Sequence, residues 1–152
     1  VLEYSIKKYS SEPINIVPIK QDKLRRMGMY HRNGVLDNGQ EVDVFDRKPF
    51  STEFSFTRFL VPFLNHLDGQ ALFMDCDMFV RGDIMEVFHN DTKNEKWNWL
   101  DGHSSESIQP KVVHFTTGGP LFRNWEGKRD IDNLYAKEWQ ELCYEMKQNE
   151  GY

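Results

Sequence analysis

The sequence predicts an α/β fold, in which short apolar strands alternate with amphipathic helices. Residues 71–74 form a continuous apolar run, of the kind found in a strand buried on both faces of a sheet. Residues 111–115 are a second strand candidate, and they lead directly into a glycine-rich turn. Apolar residues recur at helical spacing over residues 130–148, which predicts a packing helix there.

The N-terminal third predicts short elements of both kinds. Residues 1–10 have the character of the end of a helix, and residues 13–19 are apolar and β-branched enough to be a strand. Residues 20–27 are expected to form a short helix. Residues 28–50 contain two Asn-Gly pairs, which predict a loop or an irregular hairpin.

The middle of the chain predicts a helix that begins at Ser51 or Thr52 and continues to Leu67. Pro62 should kink this helix or divide it into two pieces. Helical spacing places Arg58 opposite the apolar face, which favours a solvated arginine. The apolar stripe comprises Phe56, Phe59, Leu60, Phe63 and Leu67.

The segment between the two strand candidates has little periodicity. Residues 84–88 are expected to form a short helical turn. Residues 89–110 are polar and carry Trp97 and Trp99, which is typical of a surface loop anchored by two tryptophans.

Length and composition indicate a single domain over residues 1–152, with 39% apolar residues. The net charge of −5 gives no electrostatic footprint for nucleic acid. No apolar run reaches the length of a transmembrane helix. Two cysteines, Cys76 and Cys143, make no disulfide framework, so a reducing compartment is expected.

The strongest chemical signal is the pair Asp75 and Asp77 at the end of the apolar run. In an extended segment, residues two apart point to the same side, so the two carboxylates would repel each other unless a cation or a proton lies between them. Oxygen ligands favour a hard ion such as Mg²⁺ or Mn²⁺, which keeps coordination positions for phosphate. A turn or helix-capping role for these aspartates is the structural alternative.

His114 stands at the end of the second strand candidate, beside Gly118 and Gly119. An imidazole ligand and exposed backbone N–H groups at one place could together serve a phosphorylated ligand. The alternatives are a hydrogen-bonded core histidine and a simple turn.

Three segments in this order resemble the family 8 nucleotide-sugar glycosyltransferases, which include lipopolysaccharide galactosyltransferases and glycogenin-like enzymes. They are STEFSFTRFLVPFL (51–64), ALFMDCDMFVRGDI (71–84) and KVVHFTTGGPLFRNW (111–125). The resemblance implies a GT-A fold, with a Rossmann-like, mixed and largely parallel sheet flanked by helices. It also implies a nucleotide-sugar donor, with a UDP-sugar favoured, and a glycan or lipid-linked acceptor, which would place the protein in the cytoplasm or at the inner face of a membrane.

The resemblance also assigns roles to residues. Asp75, Asp77 and His114 would bind Mn²⁺ or Mg²⁺, and Arg58 would lie near the nucleotide and assist catalysis. The residues that would contact the nucleotide are Arg58, Asp75, Cys76, Gly118 and Gly119.

The chain departs from the family pattern in ways that predict either a naturally shortened relative or a part of a longer protein. The family's first strand would precede Val1, and only residues 89–110 occupy the place of a longer stretch that contacts donor and acceptor.

Two other functions fit the same aspartates. A haloacid-dehalogenase-like phosphatase would use Asp75 as nucleophile and Asp77 as acid/base with Mg²⁺, although Phe79 departs from that motif. An inactive relative would only bind metal or nucleotide.

Overall fold

The structure, a computed structural model, describes residues 1–49, 55–89, 95–101, 103–116, 119–120 and 134–150. The chain divides into two compact units. The sheet unit comprises residues 1–16 and 74–152, and the hairpin unit comprises residues 17–73. The prediction of one domain over residues 1–152 stays a prediction.

The described residues contain helices and strands in both units, so the predicted α/β class is confirmed. The helices and strands in chain order are α1 (Leu2–Tyr9), α2 (Gln21–Arg26), β1 (Gly34–Asp37), β2 (Gln40–Asp43), α3 (Val61–Leu64), β3 (Met78–Val80), α4 (Met85–His89), β4 (Trp99–Leu100), β5 (Val112–His114) and α5 (Ala136–Glu150). Two 3-10 helices, Ser55–Leu60 and Glu95–Trp97, complete the set. No helix in these ranges is long and apolar enough to cross a bilayer.

The sheet unit is built on three strands in the order β3-β5-β4. Strand β3 is antiparallel to β5, and Met78 lies opposite His114. Strand β4 is parallel to β5, and Leu100 also lies opposite His114. The sheet is therefore mixed, as predicted, but the expectation of a largely parallel sheet is wrong for the described strands.

Both faces of this sheet are buried, which explains why its strands are continuously apolar. On one face, Phe79, Trp99 and Val113 belong to a cluster with Trp139 and Leu142 of α5. On the other face, two strand valines pack with residues of α1 and of the segment before α4. This second cluster comprises Ile6, Val80, Ile84 and Val112.

Two predicted strands are wrong. Residues 71–74 are irregular, and Leu72 is 42% exposed. The strand begins after the aspartates, at Met78, because that segment has β5 as its hydrogen-bonding partner. Residues 13–19 are also irregular, since two prolines lack the N–H group that a strand ladder needs. Ile14 and Ile16 nevertheless pack against the sheet unit's core.

The hairpin unit confirms the predicted irregular hairpin within residues 28–50. Strands β1 and β2 are antiparallel, and Asn38 and Gly39 turn between them with φ of 49° and 81°. Arg32 donates a hydrogen bond to the carboxylate of buried Asp43. This contact, with the amide of Phe45 at 2.7 Å, holds the pKa of Asp43 below its usual value.

Within the helix predicted over residues 51–67, Ser55–Leu60 is a 3-10 helix and Val61–Leu64 is α3, so the predicted division into two pieces near Pro62 is confirmed. The predicted end at Leu67 is wrong, because residues 65–67 form a turn. The helix's predicted start at Ser51 or Thr52 lies outside the described residues. Three members of its apolar stripe are exposed within the hairpin unit: Phe59 by 73%, Phe63 by 58% and Leu67 by 80%.

The surface loop predicted over residues 89–110 is wrong in part, because Trp99 and Leu100 pair with β5 as strand β4. The other predicted helices and strands are confirmed, with shifted ends. The ends of α1, α2 and α4 differ by one or two positions from the predicted ranges 1–10, 20–27 and 84–88. Strand β5 lies within the predicted range 111–115. Helix α5 begins at Ala136, because Leu134 and Tyr135 form a turn. The start of its predicted range, residues 130–133, lies outside the described part of the chain.

Candidate functional site

Backbone pairing between β3 and β5 brings the two sequence motifs together. Asp77 directly precedes β3, and His114 ends β5, so the antiparallel register places them side by side. The N–H of Phe115 donates to the Asp77 carbonyl at 3.3 Å. The N–H of Met78 donates to the Asp75 carbonyl at 3.2 Å, which closes a turn through Cys76. The aspartates therefore lie in a turn, rather than in the predicted extended segment.

The side chains of Asp75, Asp77 and His114 converge. His114 Nε2 lies 3.3 Å from Asp77 Oδ1 and 4.0 Å from Asp75 Oδ2. All three side chains are largely buried, with exposed fractions of 16% for His114, 25% for Asp75 and 31% for Asp77. Asp77 Oδ1 is buried and accepts no well-formed hydrogen bond from the described residues, despite its closeness to His114. The cluster thus contains a carboxylate oxygen that needs a donor or a cation.

Two carboxylates and an imidazole are suitable ligands for Mn²⁺ or Mg²⁺ in chemical type. Within the described residues, however, no set of three or more His, Cys, Asp and Glu side chains is arranged to hold a metal ion. Because both carboxylates already lie within 4.0 Å of His114 Nε2, coordination would require rotation of side chains rather than movement of strands.

The remaining predicted residues have different surroundings. Cys76 is exposed at the turn between the two aspartates. Arg58 belongs to the hairpin unit, where its guanidinium lies over the ring of Phe73, 5.2 Å from the ring centroid. It is solvent-exposed, as its spacing predicted, and its role beside a nucleotide stays a prediction.

Gly119 has a backbone conformation that would be strained for most other residues. Its φ is +61°, and a Cβ atom there would lie 2.9 Å from Cβ of Phe115, which is itself buried. The turn after His114 therefore depends on this glycine. Its predicted contact with a diphosphate stays a prediction, and Gly118 lies outside the described residues.

One neighbour of the cluster has no signal in the sequence. Asn98, in the segment interpreted as a surface loop, places its Oδ1 atom 3.3 Å from His114 Nδ1. Asn98 lies between Trp97 and Trp99, and Trp99 begins β4. These two tryptophans were the one sequence feature that indicated an ordered segment here.

Comparisons with known proteins give one relative. Protein CDI of Arabidopsis thaliana is 28% identical to the chain over 227 aligned positions, which cover 97% of this chain and 83% of that protein. The alignment has more positions than this chain has residues, so it contains gaps on this chain's side. No protein-family model and no solved structure matches the chain. The chain is thus similar, over nearly all its length, to a plant protein whose name describes no chemistry.

Proposed function

We propose that this protein is a metal-dependent glycosyltransferase of the GT-A type. It would transfer a sugar from a nucleotide diphosphate sugar, with UDP as the favoured nucleotide, to a glycan or lipopolysaccharide-type acceptor. The observation that carries the proposal is the convergence of Asp75, Asp77 and His114, which come from two separate segments of the chain.

The electrostatics of the cluster support this function over a purely structural one. Two neighbouring carboxylates repel each other, and a structural role would normally satisfy them with donors from the surrounding protein. Asp77 Oδ1 instead stays without a well-formed hydrogen bond in a buried position. A divalent cation would neutralise the pair, and hard cations of this kind also bind the phosphates of substrates.

In the proposed mechanism, Asp75, Asp77 and His114 are the residues that would hold Mn²⁺. Their role would be to bring to the site the positive charge that favours departure of a diphosphate. The pairing of β3 with β5 keeps the backbone of Asp77 beside that of His114, so the side chains alone would have to adjust to an ion. Arg58 would add a second positive charge near the nucleotide. Gly119 would allow the turn after His114 to keep its shape.

The experiment that tests this proposal measures UDP release from a panel of UDP-sugars with Mn²⁺, with and without candidate glycan acceptors. Asp75→Asn and Asp77→Asn should each lower the rate about 100-fold or more, the size of effect seen when one group that stabilises transition-state charge is removed. Glu141→Gln, which removes the same charge from an exposed position of α5, is the matched control and should keep full activity.

Other outcomes would replace the proposal. Absence of UDP release from every donor, despite Mn²⁺-dependent UDP binding, would identify an inactive nucleotide-binding relative. Phosphate release from a simple phosphate ester with Mg²⁺, lost in Asp75→Asn, would identify a phosphatase. Activity that survives both aspartate substitutions would refute any role for this cluster.

A further inference from the structure

Asn98 is held in a fixed position although its side chain is exposed. The next residue, Trp99, is only 3% exposed, and its indole N–H donates to the Ser105 carbonyl at 3.0 Å. On the preceding side, the N–H of Lys111 donates to the Lys96 carbonyl at 2.7 Å. These contacts restrict the backbone on both sides of Asn98, so its carboxamide can present one atom in a defined place.

The pairing of β4 with β5 brings Asn98 close to His114. Trp99 lies opposite Val113, and both belong to the core cluster that packs on α5. Side chains alternate along a strand, so His114 emerges on the face opposite Val113. Asn98 lies in the bend directly before Trp99, and its Oδ1 atom is 3.3 Å from His114 Nδ1.

This contact favours one tautomer of the imidazole. A carboxamide oxygen only accepts hydrogen bonds, so in a hydrogen bond with Asn98 Oδ1 the donor is Nδ1 of His114. In the neutral ring, Nε2 then carries a lone pair, and Nε2 is the atom that faces Asp77 and Asp75. In this tautomer Nε2 and Asp77 Oδ1, which are 3.3 Å apart, are two acceptors with no hydrogen between them. The other tautomer would donate from Nε2 to Asp77 Oδ1 and satisfy that oxygen without any ion.

We infer that Asn98 is a positioning residue that holds His114 in the Nδ1–H tautomer and so keeps Nε2 available to a divalent cation. The inference rests on the proposed function for its metal, but the tautomer itself can be tested without any metal. Partners of this kind, behind a ligating histidine, fix the orientation of the ring and raise its affinity for the ion.

The first experiment determines the tautomer in the metal-free protein. Long-range ¹H–¹⁵N spectra report which imidazole nitrogen carries the proton, and His114→Gln identifies the His114 signals among those of five histidines. The spectra are recorded at a pH high enough that the ring is neutral. We expect the proton on Nδ1 in the wild type and a mixture of tautomers in Asn98→Ala. A wild-type ring protonated only at Nε2, or identical spectra in Asn98→Ala, would overturn the inference.

The second experiment measures Mn²⁺ affinity from the signal of free Mn²⁺ in electron paramagnetic resonance. Asn98→Ala should bind Mn²⁺ about 10- to 100-fold more weakly, and Asn98→Asp, which keeps an acceptor oxygen, should restore most of the affinity. Asn149→Ala is the matched control and should bind Mn²⁺ with wild-type affinity. The side-chain amide of Asn149 donates a hydrogen bond to the hydroxyl of Tyr4 on α1.

The two experiments separate the possible failures. A wild-type protein that binds no Mn²⁺ would refute the proposed function, while the spectra would still decide whether Asn98 sets the tautomer. Wild-type affinity in Asn98→Ala, together with normal Mn²⁺ binding by the wild type, would refute the positioning role alone.

Discussion

Gly119→Ala should destabilise the protein through two separable effects at the turn after His114. A φ of +61° disfavours an L-residue by about 1–2 kcal/mol. The added Cβ would also lie 2.9 Å from Cβ and 3.0 Å from Cγ of Phe115. That ring stacks on Phe79 with centroids 5.8 Å apart, so it cannot move away freely, and such overpacking costs about 1–3 kcal/mol. The sum is a loss of about 2–5 kcal/mol in the free energy of unfolding.

Urea denaturation followed by far-UV circular dichroism measures this loss. Gly82→Ala is a matched control in the sheet unit, because its Cβ would meet Lys111 at an ordinary 3.4 Å and its φ is not in the left-handed region. We expect the control to change stability by less than about 1 kcal/mol. A loss below about 1 kcal/mol in Gly119→Ala would refute the close approach of this glycine to Phe115.

Two further predictions concern packing and pH. Phe79→Ala, at a fully buried position, should lower the free energy of unfolding in urea by about 3–5 kcal/mol. Phe59→Ala, at a side chain that is 73% exposed, should lower it by less than about 0.5 kcal/mol. Similar losses for the two variants would contradict the assigned burial. Hydrogen bonds from Ser11 and from the Met85 amide keep the pKa of Asp83 below its usual value. Its charge therefore stabilises the fold above the unfolded-state pKa of about 3.9, and this stabilisation disappears as pH falls through the lower folded-state pKa. The urea midpoint of Asp83→Asn should be below that of the wild type at neutral pH and approach it below about pH 4; a gap that is constant with pH would contradict this.

Elements with local signals could be predicted from the sequence. Helix α5 follows from apolar residues at helical spacing, and the hairpin turn follows from Asn38 and Gly39, since both residues tolerate positive φ. The position of β3 could not be predicted in this way. Residues 71–74 and residues 78–80 are both short apolar runs, and only pairing with β5, far along the chain, selects the second. A strand is defined by its partner, and that partner is not visible in local composition.

The candidate site likewise contains residues that local sequence could predict and a residue that it could not. The types of Asp75, Asp77 and His114, and the family resemblance of their segments, were sufficient to select them, and the structure brings all three together. Asn98 could not be selected, because its proximity to His114 depends on the parallel register of β4 on β5. Arg58 received opposite interpretations from spacing and from resemblance. Its exposure agrees with spacing, and its role at a nucleotide stays a prediction.

The most direct test of a metal and nucleotide site is thermal unfolding with UDP, GDP or ADP, each with and without Mn²⁺, for the wild type and Asp75→Asn. A ligand at 100 times its Kd stabilises the folded state by about 2.7 kcal/mol, which raises Tm by about 5–10 °C in a protein of this size. We predict this rise for wild type with UDP and Mn²⁺ together, and its loss in Asp75→Asn. No rise with any nucleotide, or an equal rise in Asp75→Asn, would contradict the proposed site.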